Sequence, residues 1–468
     1  MTTTAEPVAT GGVGGVRTSV SFAQALRFWL KLGFISFGGP AGQIAIMHRE
    51  LVEQKRWISE RRFLHALNYC MMLPGPEAQQ LATYIGWLMH RTWGGIVAGG
   101  LFVLPSLFIL IALSWIYVAF GEVDWVAGLF YGIKPAVAAI VLQAVWRIGS
   151  RTLKNPRKVP LLWAIAVFSF VAITILKIPF PWVVLAAALV GALGGKYLPA
   201  QFATGGGHAA ASAHHEGERA TGFLIDDHTP TPEHARFKKS RLATVVLAGA
   251  LLWLLPMGAL VAVQGLDGAL TQMAWFFTKA ALLTFGGAYA VLPYVYQGAV
   301  EQFQWLTGPQ MIDGLALGET TPGPLIMVVA FVGFVGGWTK QVLGPDMLFI
   351  GAALAAVVVT WFTFLPSFLF ILAGGPLVES THGNLKFTAP LTGVTAAVVG
   401  VIASLAVFFL VHIAWRPGTG ATGPSVDWIA LLIAAAAAVA LLRYKVGVIP
   451  VIAGCALAGL VLRLAGLA

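Results

Sequence analysis

Charged residues are scarce in this 468-residue chain. Asp, Glu, Lys and Arg make up 10% of it, against about 25% in a soluble globular chain, while hydrophobic residues make up 58%. This composition excludes an ordinary soluble enzyme, a disordered protein and a fibrous protein. Apolar runs of about 20 residues recur from Ser21 onwards, each long enough to cross a hydrocarbon core about 30 Å thick. Because the alternating pattern of an outer-membrane barrel is absent, the sequence predicts an all-α polytopic membrane protein with about 10 to 13 membrane segments.

Cysteines and acidic residues are also few. The only two cysteines, Cys70 and Cys455, lie in apolar stretches, which predicts neither a disulfide nor a metal site. The 29 Lys and Arg residues exceed the 19 Asp and Glu residues, but basic cytoplasmic loops explain this excess without a nucleic-acid partner. The sequence contains no P-loop, no His-Glu-x-x-His motif and no recognisable Ser-His-Asp set. We therefore expect neither an enzyme nor a bound cofactor.

Polar segments divide the chain into domains. Residues 1–20 lack the basic and apolar regions of a signal peptide and are predicted to form a disordered cytoplasmic tail. Residues 200–241 form the one long polar stretch, which predicts a flexible cytoplasmic linker. The predicted membrane parts are a first transmembrane domain (21–199), an extra transmembrane helix (242–264) and a second transmembrane domain (265–468).

The two halves of the chain repeat each other. Sliding Phe28–Pro76 by 248 positions onto Phe276–Pro324 gives 13 identities in 49 positions. Residues 44–62 carry five Lys and Arg residues, whereas the equivalent residues 292–310 carry none. The positive-inside rule then places the two loops on opposite sides of the membrane. The sequence therefore predicts inverted halves, with the extra helix supplying the single crossing, and leaves open whether the first segments, 21–47 and 63–91, span or re-enter.

Each half interrupts two of its helices at matching positions. The interruptions are Phe37-Gly38-Gly39-Pro40, Leu73-Pro74-Gly75-Pro76, Phe285-Gly286-Gly287 and Pro322-Gly323-Pro324. Non-helical backbone at membrane depth needs protein or a wet cavity around it, and paired breaks in repeated halves point to a transport site. A helix that begins inside the membrane offers free N–H groups to an oxyanion. A single break can be only a packing turn, but four breaks in register favour a binding site.

The candidate site residues lie at or near these breaks. The substrate-binding candidates are Lys31, Gly38, Gly39, Pro40, Gln43, Pro74, Gly75, Pro76, Gln79, Gln80, Lys279, Gly286, Gly287, Tyr289, Pro322, Gly323 and Pro324. The lysines either attract an anion or extend to the interface, and the amides and the tyrosine either donate to the anion or bond across helices. The proton-coupling candidates are Glu77 and Glu319, because intramembrane acids are functional by default. Glu77 alternatively only caps its half-helix.

These motifs resemble a known family. Phe-Gly-Gly-Pro (37–40), Trp57, Leu-Pro-Gly-Pro-Glu-Ala-Gln-Gln (73–80) and Leu-Pro-Ser (104–106) are similar to those of the chromate ion transporter (CHR) family, in its long two-domain, ChrA-type form. The resemblance covers most of residues 21–414. It implies a multi-pass protein of the bacterial inner membrane that exports chromate, driven by the proton motive force, and confers chromate resistance.

The resemblance leaves some questions open. Ala288 stands where the first copy has Pro40, and Leu325 stands where it has Glu77, so we expect the two halves to contribute unequally. The alternative function is a transporter or channel for sulfate or another small anion, since chromate and sulfate are similar tetrahedral dianions. The expected partners are this oxyanion and the lipid bilayer, and a homodimer is left open.

Overall fold

The fold is almost entirely helical. The computed structural model describes residues 20–121, 123–202, 223–226, 229–230, 232–285, 287–380, 388–416 and 425–467. Six helices of these residues are long and apolar enough to cross a membrane, and the one described sheet is a short antiparallel hairpin of β1 (Trp415–Arg416) and β2 (Ser425–Val426). The predicted all-α polytopic membrane fold is therefore confirmed. Gly286 and the predicted tail, except Val20, lie outside the described residues.

The first half begins with helices too short to cross a bilayer. Its helices are α1 (Phe22–Ile35), α2 (Gly39–His48), α3 (Glu60–Cys70), α4 (Glu77–Phe120), α5 (Asp124–Thr152), α6 (Pro160–Thr174), α7 (Phe180–Tyr197) and the one-turn α8 (Pro199–Phe202). The 14 residues of α1 extend about 21 Å at 1.5 Å per residue, and α2 and α3 are shorter. Helix α4 bends at His90 and Arg91, whose backbone angles are not helical. The helix breaks therefore come before α1, α2 or α3 reaches the length of a bilayer-spanning helix.

The first two hydrophobic segments re-enter rather than span. The ring of His90, at the end of the first part of α4, lies 2.9 Å from the carbonyl oxygen of Val20, just before α1. The ammonium of Lys55, in the loop after α2, lies 5.5 Å from the ring centre of Phe28 in α1. Both hairpins therefore return to the end of the molecule at which they begin. We call this end the linker end.

The second half repeats this arrangement in detail. Its helices are α9 (Lys239–Gln264), α10 (Ala269–Leu283), α11 (Ala288–Tyr296), α12 (Gly308–Thr320), α13 (Val328–Thr339), α14 (Leu348–Ser380), α15 (Thr388–Ala414), α16 (Trp428–Leu442) and α17 (Val448–Leu464). A π-helical turn follows α2 at Arg49–Gln54 and α11 at Gln297–Gln302, at the same shift of 248 positions found in the sequence. Arg56 and Gln304, again equivalent, both have a positive φ, 53° and 52°. The repeat therefore extends to unusual backbone conformations.

Helix α9 connects opposite ends of the two halves. It begins beside the linker, where Arg241 donates a hydrogen bond to the carbonyl of His234, and its 26 residues extend about 39 Å. At its other end the side chain of Gln264 donates to the carbonyl of Val342 (2.9 Å) and accepts from the amide of Leu270 (3.2 Å). The hairpins of the second half begin near residue 270 and end near residue 342. They therefore open at the end of the molecule that is far from the linker. This arrangement agrees with the predicted inversion.

The described part of the linker differs from the prediction of a flexible segment. Phe223, Ile225 and Ala235 are buried, and Ile225 forms a β-bridge with Ile58 of the first half. An apolar stretch inside the polar linker accounts for this packing, because its burial removes apolar surface from water. We call the described residues of 223–235 the linker strap. The remaining linker residues, except 200–202 and 236–241, lie outside the described residues.

The other helices pack the halves into one body. Helix α15 packs against α5, α6 and α7, α17 packs against α5, and α14 packs against α4. Each of these contacts joins an element of the second half to one of the first. The breaks of both halves are thereby brought together.

Candidate functional site

The four breaks each start a half-helix with an open N-terminus. Helix α2 starts at Gly39, α4 at Glu77, α11 at Ala288, and a 3₁₀ turn at Leu325 leads into α13. None of these four described starts carries a side-chain cap. The glycines with positive φ in the described breaks are Gly38, Gly39, Gly75, Gly287 and Gly323. The helix starts predicted from the sequence are therefore present, and their uncapped N–H groups favour a negative charge.

The breaks of one half are hydrogen-bonded to those of the other. The amide of Gly75 donates to the carbonyl oxygen of Thr284 at 2.7 Å, and the amide of Gly323 donates to that of Ser36 at 2.8 Å. Ser36 and Thr284 are equivalent in the repeat, as are Gly75 and Gly323. The second break of each half is thus fixed to the first break of the other, and the candidate site belongs to both halves.

Two equivalent serines pack against these turns. A Cβ on Gly75 would lie 2.3 Å from the Oγ of Ser367, and a Cβ on Gly323 would lie 2.9 Å from the Cβ of Ser106. Only glycine fits so close an approach. Sequence reasoning did not include these serines, or Ser36 and Thr284, among the site residues. The repeated Leu-Pro-Ser motif was the signal that could have identified the first pair.

The first break of each half borders open space. Gly39 and Gly287 are both buried, yet a Cβ on either would meet no atom within 4 Å apart from its chain neighbours. The uncapped starts of α2 and α11 therefore have room beside them for one more methyl-sized group. The second breaks are tightly packed by comparison.

Six buried polar atoms at the breaks have no hydrogen-bond partner among the residues that the structure describes. They are the Oγ atoms of Ser36, Ser106 and Ser367 and the Oε1 atoms of Gln43, Gln79 and Gln80. Each of these residues is at most 1% exposed. Buried polar groups are normally hydrogen-bonded, so a cluster of six unpartnered atoms in one place indicates a site that takes up water or a polar ligand.

The amide nitrogens of the three candidate glutamines already donate hydrogen bonds within the protein. Nε2 of Gln43 donates to the carbonyl of Gly323, across the halves. Nε2 of Gln80 donates to the carbonyl of Pro74 (2.8 Å), and Nε2 of Gln79 donates to the hydroxyl of Thr83 (2.9 Å). In this conformation two of the glutamines hold the turns in place. The hydroxyls and the backbone N–H groups are the donors left for an anion.

The contacts of the two candidate lysines are with residues outside the breaks. The ammonium of Lys31 lies 3.5 Å from the carboxylate of Glu50, and Lys31 lines an outer cleft of about 540 Å³ with Arg27 and Lys55. The ammonium of Lys279 lies 5.7 Å from the ring centre of Trp275, which is exposed. The structure thus places Lys31 in a basic cleft at the linker end rather than beside the unpartnered polar atoms at the breaks.

The two candidate acids have different surroundings. Glu77 is the first residue of α4, is partly buried, and makes no hydrogen bond or ion pair with any residue that the structure describes. Glu319 is 6% exposed and accepts a hydrogen bond from the hydroxyl of Tyr289. The guanidinium of Arg147, from the first half, lies 6.0 Å from the ring centre of Tyr289. Tyr289, expected to be able to donate to the substrate, therefore donates to Glu319.

Comparison with known proteins agrees with the repeat and with the motifs. A family model described as "Chromate transporter" matches residues 23–192 and, a second time, residues 271–460. The chain belongs to the chromate transporter family. Each of the two matches covers one half and includes both of its breaks, so all four breaks lie within the residues that match the family model.

Named members of the chromate transporter family are similar over most of the chain. A chromate transport protein of Cupriavidus metallidurans is 30% identical over 97% of both chains. A chromate transport protein of Pseudomonas aeruginosa is 36% identical over 82% of this chain and 80% of its own. A probable chromate transport protein of Synechococcus elongatus is 30% identical over 84% of this chain and 85% of its own. No solved structure matches the chain.

Proposed function

We propose that this protein is a secondary transporter that exports chromate across the bacterial inner membrane. In the proposed cycle the proton motive force drives export, and export confers chromate resistance. The observation that carries the proposal is the meeting of four uncapped half-helix starts, bonded across the halves and surrounded by unpartnered buried polar atoms. The relatives are named chromate transport proteins, which supports a transporter over an enzyme.

The chemistry of the breaks suits a tetrahedral oxyanion. Helix N-termini bind oxyanions through backbone N–H groups and the helix dipole, and no buried arginine is needed there. The hydroxyls of Ser36, Ser106 and Ser367 are neutral donors at the turns that no described residue occupies. Because the Gly75 and Gly323 amides bond across the halves, the anion is bound where a movement of one half against the other changes its surroundings. Such a movement is the usual basis of alternating access in repeated transporters.

Sulfate is the second candidate substrate. The donors around the breaks are N–H and hydroxyl groups, which contact oxygen atoms in the same way whether the central atom is chromium or sulfur. Both anions are tetrahedral, so a site of this kind discriminates weakly between them. Another small anion remains the broader alternative.

The proposal is tested by flux into vesicles that contain the purified protein. Chromate flux that requires an imposed pH gradient or membrane potential, needs no ATP and is inhibited by excess sulfate is the expected result. The variant Gly75→Val serves as the inactive control, because its side chain would collide with Ser367. Flux of sulfate without any flux of chromate would replace the proposed substrate, and flux of neither would overturn the proposed function.

A further inference from the structure

A second buried acid lies outside the breaks, at the contact between the halves. Asp313 of α12 is 2% exposed. Its Oδ2 accepts a hydrogen bond from the hydroxyl of Tyr117 on α4 (2.8 Å) and lies 3.4 Å from the ammonium of Lys134 on α5. Both partners belong to the first half, while Asp313 belongs to the second. Sequence reasoning placed none of these three residues in the site.

Only one of the two carboxylate oxygens of Asp313 has a partner among the described residues. Its Oδ1 is buried and has no hydrogen-bond partner in the part of the chain that the structure describes. A buried carboxylate oxygen without a partner is costly. The carboxylate is thus held in place through Oδ2 by Tyr117 and Lys134, while Oδ1 is left available to a proton.

In a chemically similar cluster around Glu379, both carboxylate oxygens have partners. Glu379 of α14 accepts a hydrogen bond from the hydroxyl of Tyr84 at Oε1 (2.5 Å) and from Arg62 at Oε2 (3.1 Å). Like Asp313, it is an acid of the second half held by a tyrosine and a cation of the first half. Here both oxygens have partners, and the cation is an arginine, which does not lose its proton in proteins. The Glu379 cluster is therefore suited to holding the halves together, whereas the Asp313 cluster is suited to changing its charge.

Asp313 shares helix α12 with a second buried acid, Glu319. Glu319 lies six residues further along α12, about 9 Å by helical rise, and two residues before Thr321, where the turn of the second-half break begins. Helix α5 lies near both acids, because the ammonium of Lys134 is 3.4 Å from Asp313 and the guanidinium of Arg147 is 6.0 Å from the ring centre of Tyr289, whose hydroxyl donates to Glu319. The contact between α5 and α12 thus carries two acid–cation sets, one of which adjoins the second-half break.

We propose that Asp313 is a proton-coupling residue of the transport cycle and that Lys134 is its switching partner. A proton from the aqueous phase adds to Oδ1 and makes an O–H bond, which converts the carboxylate to a neutral acid. The ammonium of Lys134 then loses its ion pair and is left to attract the oxyanion. An oxyanion near Lys134 in turn favours the protonated acid, because like charges disfavour ionisation, so one proton leaves with each oxyanion. A dianion and one proton together keep a net negative charge, so the membrane potential, which is negative inside, is the part of the proton motive force that drives the pair outwards.

The elements packed against α12 contribute few other charges. Among the described residues, Tyr117 and Lys134 contact Asp313, Tyr289 contacts Glu319, and Arg147 lies over the ring of Tyr289. Helix α13 carries no titratable residue. On α17, Arg463 lies 3.5 Å from Asp124, and the backbone at Cys455 packs against Gly132. Lys134 is the cation that directly contacts Asp313.

The inference rests on proton-coupled transport of an oxyanion, and its test separates the two. Purified Asp313→Asn and Glu379→Gln variants are placed in vesicles, and two chromate fluxes are measured: accumulation driven by a pH gradient, and exchange of chromate for chromate at equal pH. For Asp313→Asn we expect accumulation to fall about tenfold or more while exchange stays within about twofold of wild type. For the matched control Glu379→Gln, any loss is expected to affect both fluxes alike.

A direct measurement of proton uptake completes the test. Chromate binding to the wild-type protein in weakly buffered detergent solution is expected to take up protons, and Asp313→Asn is expected to abolish this uptake. If Asp313→Asn does not fold, the double variant Asp313→Asn/Lys134→Gln removes the unpaired charge and carries the same expectation for pH-driven accumulation and for proton uptake, while its exchange is expected to fall because Lys134 is lost. Undiminished pH-driven accumulation, or unchanged proton uptake, in the folded variants would overturn the inference. A wild-type protein that moves no chromate at all would instead overturn the proposed function.

Discussion

The amide of Gly75 donates a hydrogen bond to the carbonyl oxygen of Thr284, 209 positions further along the chain and 2.7 Å away. The equivalent bond, from Gly323 to Ser36, runs in the reverse direction between the halves. Each half therefore contributes the donor of one bond and the acceptor of the other. A movement of one half against the other would have to change these two contacts, so in the proposed function the candidate site lies where the halves would move.

Replacing Gly75 with alanine is expected to damage this contact. Its φ is +129°, a conformation that costs a residue with a Cβ about 1–3 kcal/mol, and the new methyl group would lie 2.3 Å from Oγ of Ser367. We expect the Gly75→Ala protein to insert into the membrane but to lose most of its flux and part of its thermal stability. Flux assays and thermal unfolding in detergent measure the two effects.

Gly100, also in the first half, provides the control. It lies within α4, and a Cβ there would meet no atom within 4 Å. Gly100→Ala is therefore expected to keep wild-type flux and to be slightly more stable, since alanine favours a helix over glycine by about 1 kcal/mol. Equal behaviour of the two variants would show that close packing at Gly75 is not required.

The backbone of this candidate site was largely predictable because short sequence motifs determine it. Gly-Gly and Pro-Gly-Pro determine where a helix stops and restarts, and the repeat shows that both halves do so at the same places. The partners of the breaks were not predictable in this way. The bond from Gly75 to Thr284 and the ion pair of Lys134 with Asp313 join residues far apart in sequence, and no local pattern specifies which residues meet. The linker strap was missed for a similar reason, because three apolar residues in a polar segment give a weak signal until their binding surface is known.

Glu77 is expected to carry a proton in transport. Its carboxylate makes no hydrogen bond or ion pair with a described residue, and it lies at the start of α4, beside the turn that contains Gly75. Glu77→Gln keeps the shape of the side chain but cannot ionise. We expect flux driven by a pH gradient to collapse and exchange of one anion for another to persist. If Glu77 only caps its helix, the variant is expected to cost about 1 kcal/mol of stability and to leave coupling intact.

Glu319 gives the matched comparison in the second half. Tyr289 donates a hydrogen bond to it, whereas Glu77 has no such partner. We expect Glu319→Gln to lower pH-driven flux less than Glu77→Gln does, because the first half contains the more complete copy of the motif. The same two fluxes are measured in each variant. Normal pH-driven flux in the double variant would exclude both acids as proton carriers.

The inverted arrangement predicts opposite exposure of equivalent residues. Gln54 and Gln302 are identical in the repeat, each ends a π-helical turn, and both are exposed. Single cysteines at these positions are expected to react with a membrane-impermeant maleimide from opposite sides, Gln54→Cys from the cytoplasmic side. Both native cysteines are replaced first, and labelling is compared in intact cells and in inverted vesicles. Labelling of both positions from one side would contradict the inversion.

The linker strap is expected to be needed for a stable first half, unlike the residues before it. Ile225 is buried and pairs with Ile58, so Ile225→Asp is expected to remove about 2 kcal/mol of docking free energy. Thermal unfolding measures this loss. Deletion of residues 205–216, which lie outside the described part of the chain, is the control and is expected to keep flux and stability near wild type. A deletion that abolished flux in a well-inserted protein would assign a regulatory role to that segment.

Docking of the linker strap is expected to weaken at acidic pH because of His234. Burial lowers the pKa of this imidazole below its usual value of about 6.5, and its Nε2 lies 2.9 Å from the carbonyl oxygen of Trp87. The docked strap therefore favours the neutral ring, while an undocked strap takes up a proton at the usual pKa. The docking free energy is thus fully present above pH of about 6.5 and is lost progressively as the pH falls below it. A nitroxide attached at the exposed Glu233, through Glu233→Cys, reports this as greater spin-label mobility at pH of about 5.5 than at about 7.5. His234→Gln keeps an N–H donor for Trp87 but cannot titrate, so its mobility is expected to be the same at both pH values. A pH response that persisted in this variant would assign the effect to other groups.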